Sequence, residues 1–475
     1  MKGFFNFLPR TTQTTRTCCL KTSLFCSCWF VLVRGKIFLC LFLFAGLALF
    51  GQTLNLERAR ELALANSRSL ARYELAIRSS ILDERNQLYS MLPSVSAGYS
   101  ASADYLREWN FVNPVDTFSA GATFSVTQIV FQGGKSFIQK AISAIATESV
   151  RKDALAEYFN VLDNADNAYY AALEAYATLE AEESSLQAAA LALSIAQIRR
   201  ESGMINQGDY LKALADAEAR ENSRNQARRN LSLNIAKLKA LIGVNDNFEL
   251  EQIDFSAYEE VLRRLSGISD EQAGALFVNF WDMLVAVNPS LAKAALNSER
   301  AERNFTIARR DYAPTITVTV FSTGLNYSTA NGFNSTSQGG VALRGNIPVD
   351  FWVLNNRIER SRIALDSAQL DYTNTESSLE MELQTALLNA LSQAGTVLSS
   401  RRSLEYAGEH FEYMMERYRL LQSSVSELSD ASTLLINSRN SHIRASYAFL
   451  QSLSRLRSLC ALDDEERLIS ILLSF

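Results

Sequence analysis

The chain has 475 residues, of which 48% are hydrophobic and 20% charged, and its formal net charge is −5. This composition argues against extensive disorder, and the length allows two or three ordinary domains. The first 51 residues carry six basic residues and no acidic one, so the remainder has a formal charge of −11, which makes nucleic acid a poor partner.

The N-terminal segment has the pattern of a secretion signal. Residues 1–36 are basic, and the apolar run over 37–50 is shorter than the roughly 20 residues of a membrane-spanning helix. We predict a signal peptide over 1–51, and a membrane anchor is the alternative. Its long basic part leaves the cleavage site and the true start open. Five of the six cysteines lie there, so Cys460 alone remains and no disulfide framework is expected.

A first unit, residues 52–243, is predicted to contain a helix, a β-hairpin and two long helices. Leu56 and Ala59 begin an apolar pattern at helical spacing, and alternation from Phe118 to Val126 is typical of a strand with two distinct faces. The predicted elements are a helix over 54–92, strands over about 94–105 and 117–131, and helices over about 135–202 and 209–241.

A second unit, residues 272–462, follows a linking segment over 244–271 and precedes a tail over 463–475. Its strand signal is strong, because Ile316, Val318 and Val320 alternate with threonines. The predicted elements are a helix over 272–312, strands over about 314–325 and 338–348, and helices over about 355–421 and 427–462.

The two units indicate an internal duplication. Pro93 and Pro314 each end a predicted helix and precede a strand, and they are 221 residues apart. The pairs Ser69-Leu70 and Ser290-Leu291 are separated by the same interval. We therefore predict a mostly α fold with a small antiparallel β part, built from two tandem repeats of helix, β-hairpin, long helix and return helix.

Two hairpins supply only four strands for each chain. If these strands cross a membrane, all their backbone groups need partners, and only a closed barrel provides them. Barrels begin at about eight strands, so copies of the chain would have to share one, two copies giving the minimum and three leaving room for a channel. The alternative is that the hairpins cap a soluble coiled coil.

Two short motifs lie at the ends of the long helices. The first is Gly203-Met-Ile-Asn-Gln-Gly-Asp-Tyr-Leu-Lys-Ala213, and the second is Glu427-Leu-Ser-Asp-Ala-Ser-Thr433. Placed at matching points of a duplicated unit, they resemble the helix–turn–helix tips of the TolC-like outer-membrane efflux proteins, the outer membrane factors. The likeness covers the chain from Leu56 to about Leu462. It departs from the family around Leu421-Gln422-Ser423, where a glycine is expected.

The resemblance implies a homotrimer that shares a 12-stranded transmembrane β-barrel in outer-membrane lipid. Below it, a long periplasmic α-helical barrel would narrow to a closed tip. Such a channel-tunnel passively conducts small molecules or proteins, as in drug efflux or type I secretion. It opens when a periplasmic adaptor (membrane fusion) protein and an inner-membrane RND or ABC transporter dock. The resemblance leaves the cargo, the transporter class and the resting state of the gate open.

Several residues are candidates for functional positions. Glu427 and Asp430, spaced i and i+3, would form rings of carboxylates at a pore constriction in a trimer, or they serve the start of a helix. Tip turns are predicted at Gly203, Gly208, Asp209, Ser424 and Ser426. Aromatic residues in or near the strands would form a membrane girdle, with core packing as the alternative: Tyr99, Tyr105, Phe118, Phe124, Phe131, Phe321 and Tyr327.

No pattern in the sequence indicates catalysis, a cofactor or a metal. His410 and His442 lie separately in helical stretches. Gly133-Gly134-Lys135-Ser136 fails as a phosphate loop, because Ile129 stands where the first glycine is required. We therefore predict a channel that is not an enzyme. The competing hypothesis is a periplasmic coiled-coil adaptor or scaffold without a pore.

Overall fold

We describe a computed structural model of the chain over residues 53–106, 115–246, 248–328, 332–334, 338–462 and 464–473. The predicted signal peptide lies outside the described residues. The chain divides into two units by its contacts. The smaller comprises Met1–Thr53 and Asn247–Glu249, of which Thr53, Phe248 and Glu249 are described. The larger comprises Leu54–Asp246 and Leu250–Phe475.

Helices dominate the described part of the chain. They are α1 (Leu56–Asn66), α2 (Arg68–Tyr89), α3 (Lys135–Glu201), α4 (Gln207–Ile242), α5 (Glu259–Ser266), α6 (Asp270–Val287), α7 (Pro289–Arg309), α8 (Phe351–Arg419), α9 (Val425–Leu459) and α10 (Glu465–Leu473). Short 3₁₀ helices cover Phe255–Tyr258 and Arg310–Tyr312. The strands are β1 (Thr53–Leu54), β2 (Ser94–Leu106), β3 (Val115–Phe131), β4 (Glu249–Leu250), β5 (Thr315–Ser328), β6 (Gly332–Asn334) and β7 (Gln338–Asn346).

Two of the predicted helices are each interrupted once. The helix predicted over 54–92 breaks at Ser67, whose side chain accepts a hydrogen bond from the backbone of Leu70 at 3.3 Å and so caps α2. The helix predicted over 272–312 breaks at Asn288, which caps α7 ahead of Pro289. The apolar period continues across both caps, so periodicity alone does not show the breaks. The predicted tail contains α10.

Within the described residues no single helix is long and apolar enough to cross a membrane. One bent pair of helices, Asp270–Val287 with Pro289–Tyr312, reaches that length and apolar composition when the two helices are taken together.

The larger sheet is antiparallel, with strand order β2-β3-β5-β7, and the short β6 also pairs with β5. Tyr99 lies opposite Ala122 across β2 and β3, while Val320 lies opposite Val126 on one side and Val341 on the other. Among the described strands, β2 and β7 each have one edge without a partner strand. The sheet is therefore open at both sides.

The two faces of this sheet differ in chemistry. One face carries exposed apolar side chains, such as Tyr99 at 88% exposure and Leu343 at 73%. The opposite face carries hydroxyls that pair across the strands, as the Ser96 and Ser125 oxygens do at 2.7 Å. Because side chains alternate along a strand, the sequence pattern of the hairpins produces this separation directly.

The long helices α3 and α8 connect the sheet to two distant turns. With 67 and 69 residues, each spans about 100 Å. Next to the sheet the helices lie in the order α2, α3, α7, α8, and beyond the middle of the long helices the order is α4, α3, α9, α8. Small side chains such as Ala172 and Ala394 are fully buried where the helices meet, which allows close approach of their backbones.

One aspartate joins three elements beside the sheet. Asp311, just before β5, accepts hydrogen bonds from the Nζ atom of Lys135 at 2.7 Å and from Arg357 at 2.9 Å. Partial burial raises the pKa of Asp311, but the two cations outweigh burial and the net pKa lies below its usual value. The starts of α3 and α8 are thus fixed relative to each other.

This arrangement predicts a pH-dependent contribution to stability. Because the pKa of Asp311 is lowered by folding, its contribution is complete above the unfolded pKa of about 3.9 and is lost as the pH falls through the folded pKa. Asp311→Asn should cost about 1 kcal/mol after allowance for solvent screening. Thermal unfolding followed by circular dichroism should show a constant difference from the wild type above about pH 5 that shrinks below about pH 4. A stability difference between the wild type and Asp311→Asn that grows in acid would contradict this prediction.

A buried network of charges ties the C-terminal helix to the bundle. Asp166 on α3 has no exposed surface, and it accepts two hydrogen bonds from Arg60, at 2.6 and 3.0 Å, and one from Arg457 at 2.6 Å. Ser454 donates a further bond to Asp166 at 2.7 Å. Arg60 also reaches Glu465 of α10 at 3.3 Å. The network therefore joins α1, α3, α9 and α10.

Candidate functional site

The two turns at the far ends of the long helices have the same backbone design. After α3, Gly203 adopts a φ of 70°, and the amide of Met204 donates to the carbonyl of Arg199 at 2.8 Å. After α8, Leu421 adopts a φ of 65°, and the amide of Gln422 donates to the carbonyl of Arg417 at 2.8 Å. Both are left-handed helix ends of the kind that normally carry glycine.

Leu421 is therefore strained where Gly203 is not. A left-handed conformation costs a residue with a side chain roughly 1–2 kcal/mol relative to glycine, part of which glycine loses again in chain entropy. We expect Leu421→Gly to stabilise the second turn by about 0.5–1 kcal/mol. The unfolding midpoint in guanidinium chloride should rise. Ser423→Gly, in the same turn without a positive φ, is the control, and an equal or larger gain there would exclude this explanation.

The helices that leave the turns are capped by side chains. Asn206 caps α4 by accepting from the amide of Asp209 at 2.8 Å, so that Asp209 is a first-turn acid, and Gly208 lies inside the helix. Ser424 and Glu427 form a capping box at the start of α9, with bonds of 2.9 and 3.2 Å. The capping role predicted as one alternative thus accounts for Glu427.

Asp430 differs from Glu427 because its carboxylate makes no hydrogen bond within the described residues, whereas that of Glu427 accepts one from the amide of Ser424. Both carboxylates are exposed on α9, one helical turn apart. Asp430 is therefore the better candidate for a carboxylate that faces a pore.

An apolar cluster holds the two helical hairpins together near the turns. Its buried members come from all four long helices. Their side chains pack α3, α4, α8 and α9 against one another, so the two hairpins meet as a packed unit. The buried members are Ala196, Ala213, Met415, Tyr418, Val425 and Leu428.

Near the two turns, three polar bridges between described residues cross from the first hairpin, α3 and α4, to the second, α8 and α9. Buried Arg199 donates to the carbonyl oxygen of Tyr418 and lies 4.1 Å from the centre of its ring, while burial raises the pKa of that tyrosine. The Nζ atom of Lys212 lies 2.5 Å from the hydroxyl of Ser426. The remaining bridge, at 2.7 Å, runs from Arg220 to Thr433.

Sequence reasoning predicted turns near Gly203 and Ser424, whereas Gly208, Asp209 and Ser426, also predicted in the turns, lie in the first turns of α4 and α9. It did not point to Arg199, Lys212 or Arg220. Each looks like an ordinary cation on a solvated helix face. The one sequence feature that could have indicated Arg199 is the correspondence between the two helical hairpins. When their turns are matched, the residues just before Gly203 lie against the residues just before Leu421.

The predicted aromatic girdle residues do not all lie on one face. Those on the apolar face, or opposite its residues in the register, are Tyr99, Phe118, Phe124, Phe131 and Tyr327, and the rings of Phe118 and Tyr327 are 6.3 Å apart. Phe321 lies on the hydroxyl-rich face, opposite Ser125 and Gly340, where its ring covers the glycine. Tyr105 is opposite Asp116, and its side chain lies outside the described residues.

Reactive side chains are sparse in the described part of the chain. No group of three or more His, Cys, Asp or Glu residues there could hold a metal ion. His442 contacts the hydroxyl of Ser400 at 3.2 Å, and its pKa is lowered by burial and by Arg401. Burial raises the pKa of the Cys460 thiol to about 12, so it is a poor nucleophile.

Comparison with known families identifies this architecture. The family model "Outer membrane efflux protein" matches residues 59–244 and 281–461, which include both helical hairpins and both turns. The chain belongs to the outer membrane efflux protein family. Members of this family are efflux channels of tripartite systems, not enzymes. This outer membrane efflux protein is accordingly an export channel of the outer membrane that extends into the periplasm, and the scaffold hypothesis is not supported.

Solved structures agree on the fold of this outer membrane efflux protein. The Campylobacter jejuni CmeC outer membrane channel matches with a TM-score of 0.70 at 16% identity, covering 87% of this chain and 88% of that one. VceC from Vibrio cholerae matches with a TM-score of 0.69 at 15% identity, covering 86% and 96%. No protein among those with curated functions matches the sequence.

Proposed function

We propose that three copies of this chain assemble into one conduit, with a shared 12-stranded transmembrane β-barrel continued by a periplasmic α-helical barrel, and that the two units of the chain arose by duplication. The observation that carries the proposal is the open sheet with one apolar and one hydroxyl-rich face. Lipid requires every strand edge to be paired, and one chain leaves the edges of β2 and β7 free. Four long strands from each of three copies close a barrel wide enough for a channel.

The apolar face of the sheet is the surface we assign to lipid. Tyr99, Phe124 and Leu343 are exposed on it, which is costly in water and favourable in a bilayer. Phe118 and Tyr327 pair near the end of the strands remote from the helices, and Phe131 lies near the helical end, as two aromatic girdles require. We leave Phe321 out of the girdle because it faces the hydroxyl-rich side.

Channel activity separates the conduit from a scaffold. The full chain, purified in mild detergent, should have the protein mass of three copies. In planar bilayers it should give discrete conductance steps. A monodisperse single copy without conductance would overturn the proposal. Extraction from membranes by salt alone would do so as well, because a barrel embedded in lipid needs detergent.

The turns are the part of the conduit that we assign to gating. Near them the hairpins are held by an apolar cluster and three polar bridges, so separating the hairpins widens this end. We propose that a periplasmic adaptor and an inner-membrane RND or ABC transporter dock here and stabilise the separated state. The turns at Gly203 and Ser424 would form the docking end, together with the first helical residues after them, Gly208, Asp209 and Ser426.

Asp430 is our candidate for the selective ring at this end. Three copies of an exposed carboxylate around one axis attract cations. Asp430→Asn should reduce the preference for cations over anions measured from reversal potentials in a salt gradient. Glu427→Gln is the comparison, because Glu427 is engaged in the capping box. Unchanged selectivity in both variants would remove the ring from the proposal.

A further inference from the structure

The hydroxyl-rich face of the sheet carries an exposed arginine. Arg344 on β7 lies opposite Thr317 of β5, and the next pair on the same face is Ala342 with Thr319. Thr319 belongs to the hydroxyl-rich face, because its hydroxyl oxygen lies 3.3 Å from that of Thr127 on β3. Residues directly opposite each other project to the same side of a sheet, so Arg344 shares this face.

The charge of Arg344 has no partner within the described residues. Among the described side chains of β2, β3, β5 and β7 it is the only charged one, and it forms no ion pair with any described residue. Asp311, beside the sheet, already pairs with two other cations. Asp104 and Asp116 lie in the strands about 40 Å from the level of Arg344. Salt screens charges over about 8 Å at physiological strength, so these two acids do not offset it.

An aromatic ring lies further along the same face. Phe321 of β5 is 40% exposed, and its ring covers Gly340 of β7. Gly340 and Arg344 are four residues apart on one strand, or about 13 Å, and share one side of it. Ala342 lies between them on that side. Gly340 and Ala342 thus form a shallow floor with a ring at one end and a guanidinium at the other.

We propose that this floor is a subsite for the exported cargo and that it selects organic anions with an apolar or aromatic body. The inference rests on the proposed function, which assigns the opposite face to lipid and so leaves this face to line the lumen. A guanidinium binds anionic oxygens through paired N–H donors in a fixed plane. The ring of Phe321 offers a surface on which a flat apolar body stacks.

The proposed lumen is narrow enough for Arg344 to act on a molecule at its centre. Twelve strands about 4.8 Å apart and tilted by about 40° close a barrel with a backbone radius of about 12 Å. Arg344 projects inwards from this wall, so its charge lies within about one screening length of the axis. Low-dielectric walls concentrate such a field, so one arginine from each copy would raise the local concentration of anions.

Block of the open conduit by organic ions tests the role of Arg344. The probe is naphthalene-2-sulfonate, applied to the full chain in planar bilayers. Arg344→Gln should raise the concentration that halves the single-channel current by about tenfold or more, whereas Arg344→Lys should retain most of the block because it keeps the charge. Block by 2-naphthylmethylammonium, a cation with the same rings, should not weaken in Arg344→Gln. Equal block of the wild type and Arg344→Gln by the sulfonate would overturn the subsite.

A second variant tests the ring independently of the arginine. Phe321→Leu keeps an apolar side chain beside Gly340 and should weaken block by naphthalene-2-sulfonate by about threefold or more. Block by hexane-1-sulfonate, which has the same charge and no ring, should stay unchanged. An equal loss for both sulfonates, or for neither, would count against the subsite. A wild type without conductance would refute the proposed function itself, whereas conducting trimers whose block ignores both substitutions would refute only this inference.

Discussion

Replacing Asp166 with alanine is expected to destabilise the protein by about 3–5 kcal/mol, because this substitution breaks a buried ion network. Asp166 is fully buried and forms ion pairs with both Arg60 and Arg457. Arg457 is 2% exposed, and Asp166 is its only ion-pair partner among the described residues. In the variant, the guanidinium of Arg457 would stay buried without its ion-pair partner. The midpoint of chemical denaturation should fall accordingly.

Two further variants make this prediction specific. Glu148→Ala removes an exposed acid from the same helix, whose bond to Arg151 is 3.2 Å long, and should cost less than about 1 kcal/mol. Adding Arg457→Met to Asp166→Ala should recover part of the loss, because the unpaired buried charge is then gone. If Asp166→Ala were no worse than Glu148→Ala, the network would not contribute to stability as argued.

Replacing Arg199 with methionine is expected to open the conduit in the absence of any partner. The side chain of Arg199 bridges the two hairpins through the carbonyl and the ring of Tyr418. A hydrogen bond from a charged donor contributes about 1.5–3 kcal/mol, and the methionine keeps the apolar volume. If three copies open together, even about 1.4 kcal/mol from each multiplies the opening equilibrium by roughly a thousand. The fraction of time spent open in planar bilayers should therefore rise at least 100-fold.

Arg200→Met is the matched control for this prediction. Arg200 is the next residue and stacks on an aromatic ring at 4.0 Å, but that ring belongs to Tyr210 of the same hairpin. Its loss should leave the separation of the hairpins unchanged. Equal opening in both variants would show that the bridge to Tyr418 has no special role.

Much of the fold could be predicted from local patterns in the sequence. Alternation in the hairpins, such as Val318 and Val320 among threonines, is produced by the strand geometry itself. The absence of Gly and Pro from 135–202 is a direct requirement of a long helix. The identity of the tip turns also follows locally, since Gly203 meets a need for positive φ.

Other features could not be predicted because they depend on contacts between distant segments. Asp166 and Arg457 are 291 residues apart in the chain, and nothing near either one indicates that both are buried. Phe321 resembles the other strand aromatics in sequence, yet the register places it on the opposite face. Leu421 adopts a positive φ at a turn position that normally favours glycine. The local preference of leucine for negative φ therefore did not predict this conformation.

The unbroken length of α3 and α8 has a mechanical consequence. A rod of about 100 Å that tilts by about 5° at one end moves its other end by about 9 Å. Small rotations beside the sheet are thus amplified at the turns, and no hinge is needed there. The two rods differ in stiffness, because α8 contains Gly395 and Gly408, both with open space around them, whereas α3 contains no glycine. Bending during transport should therefore concentrate in the second hairpin, with the first serving as its rigid support.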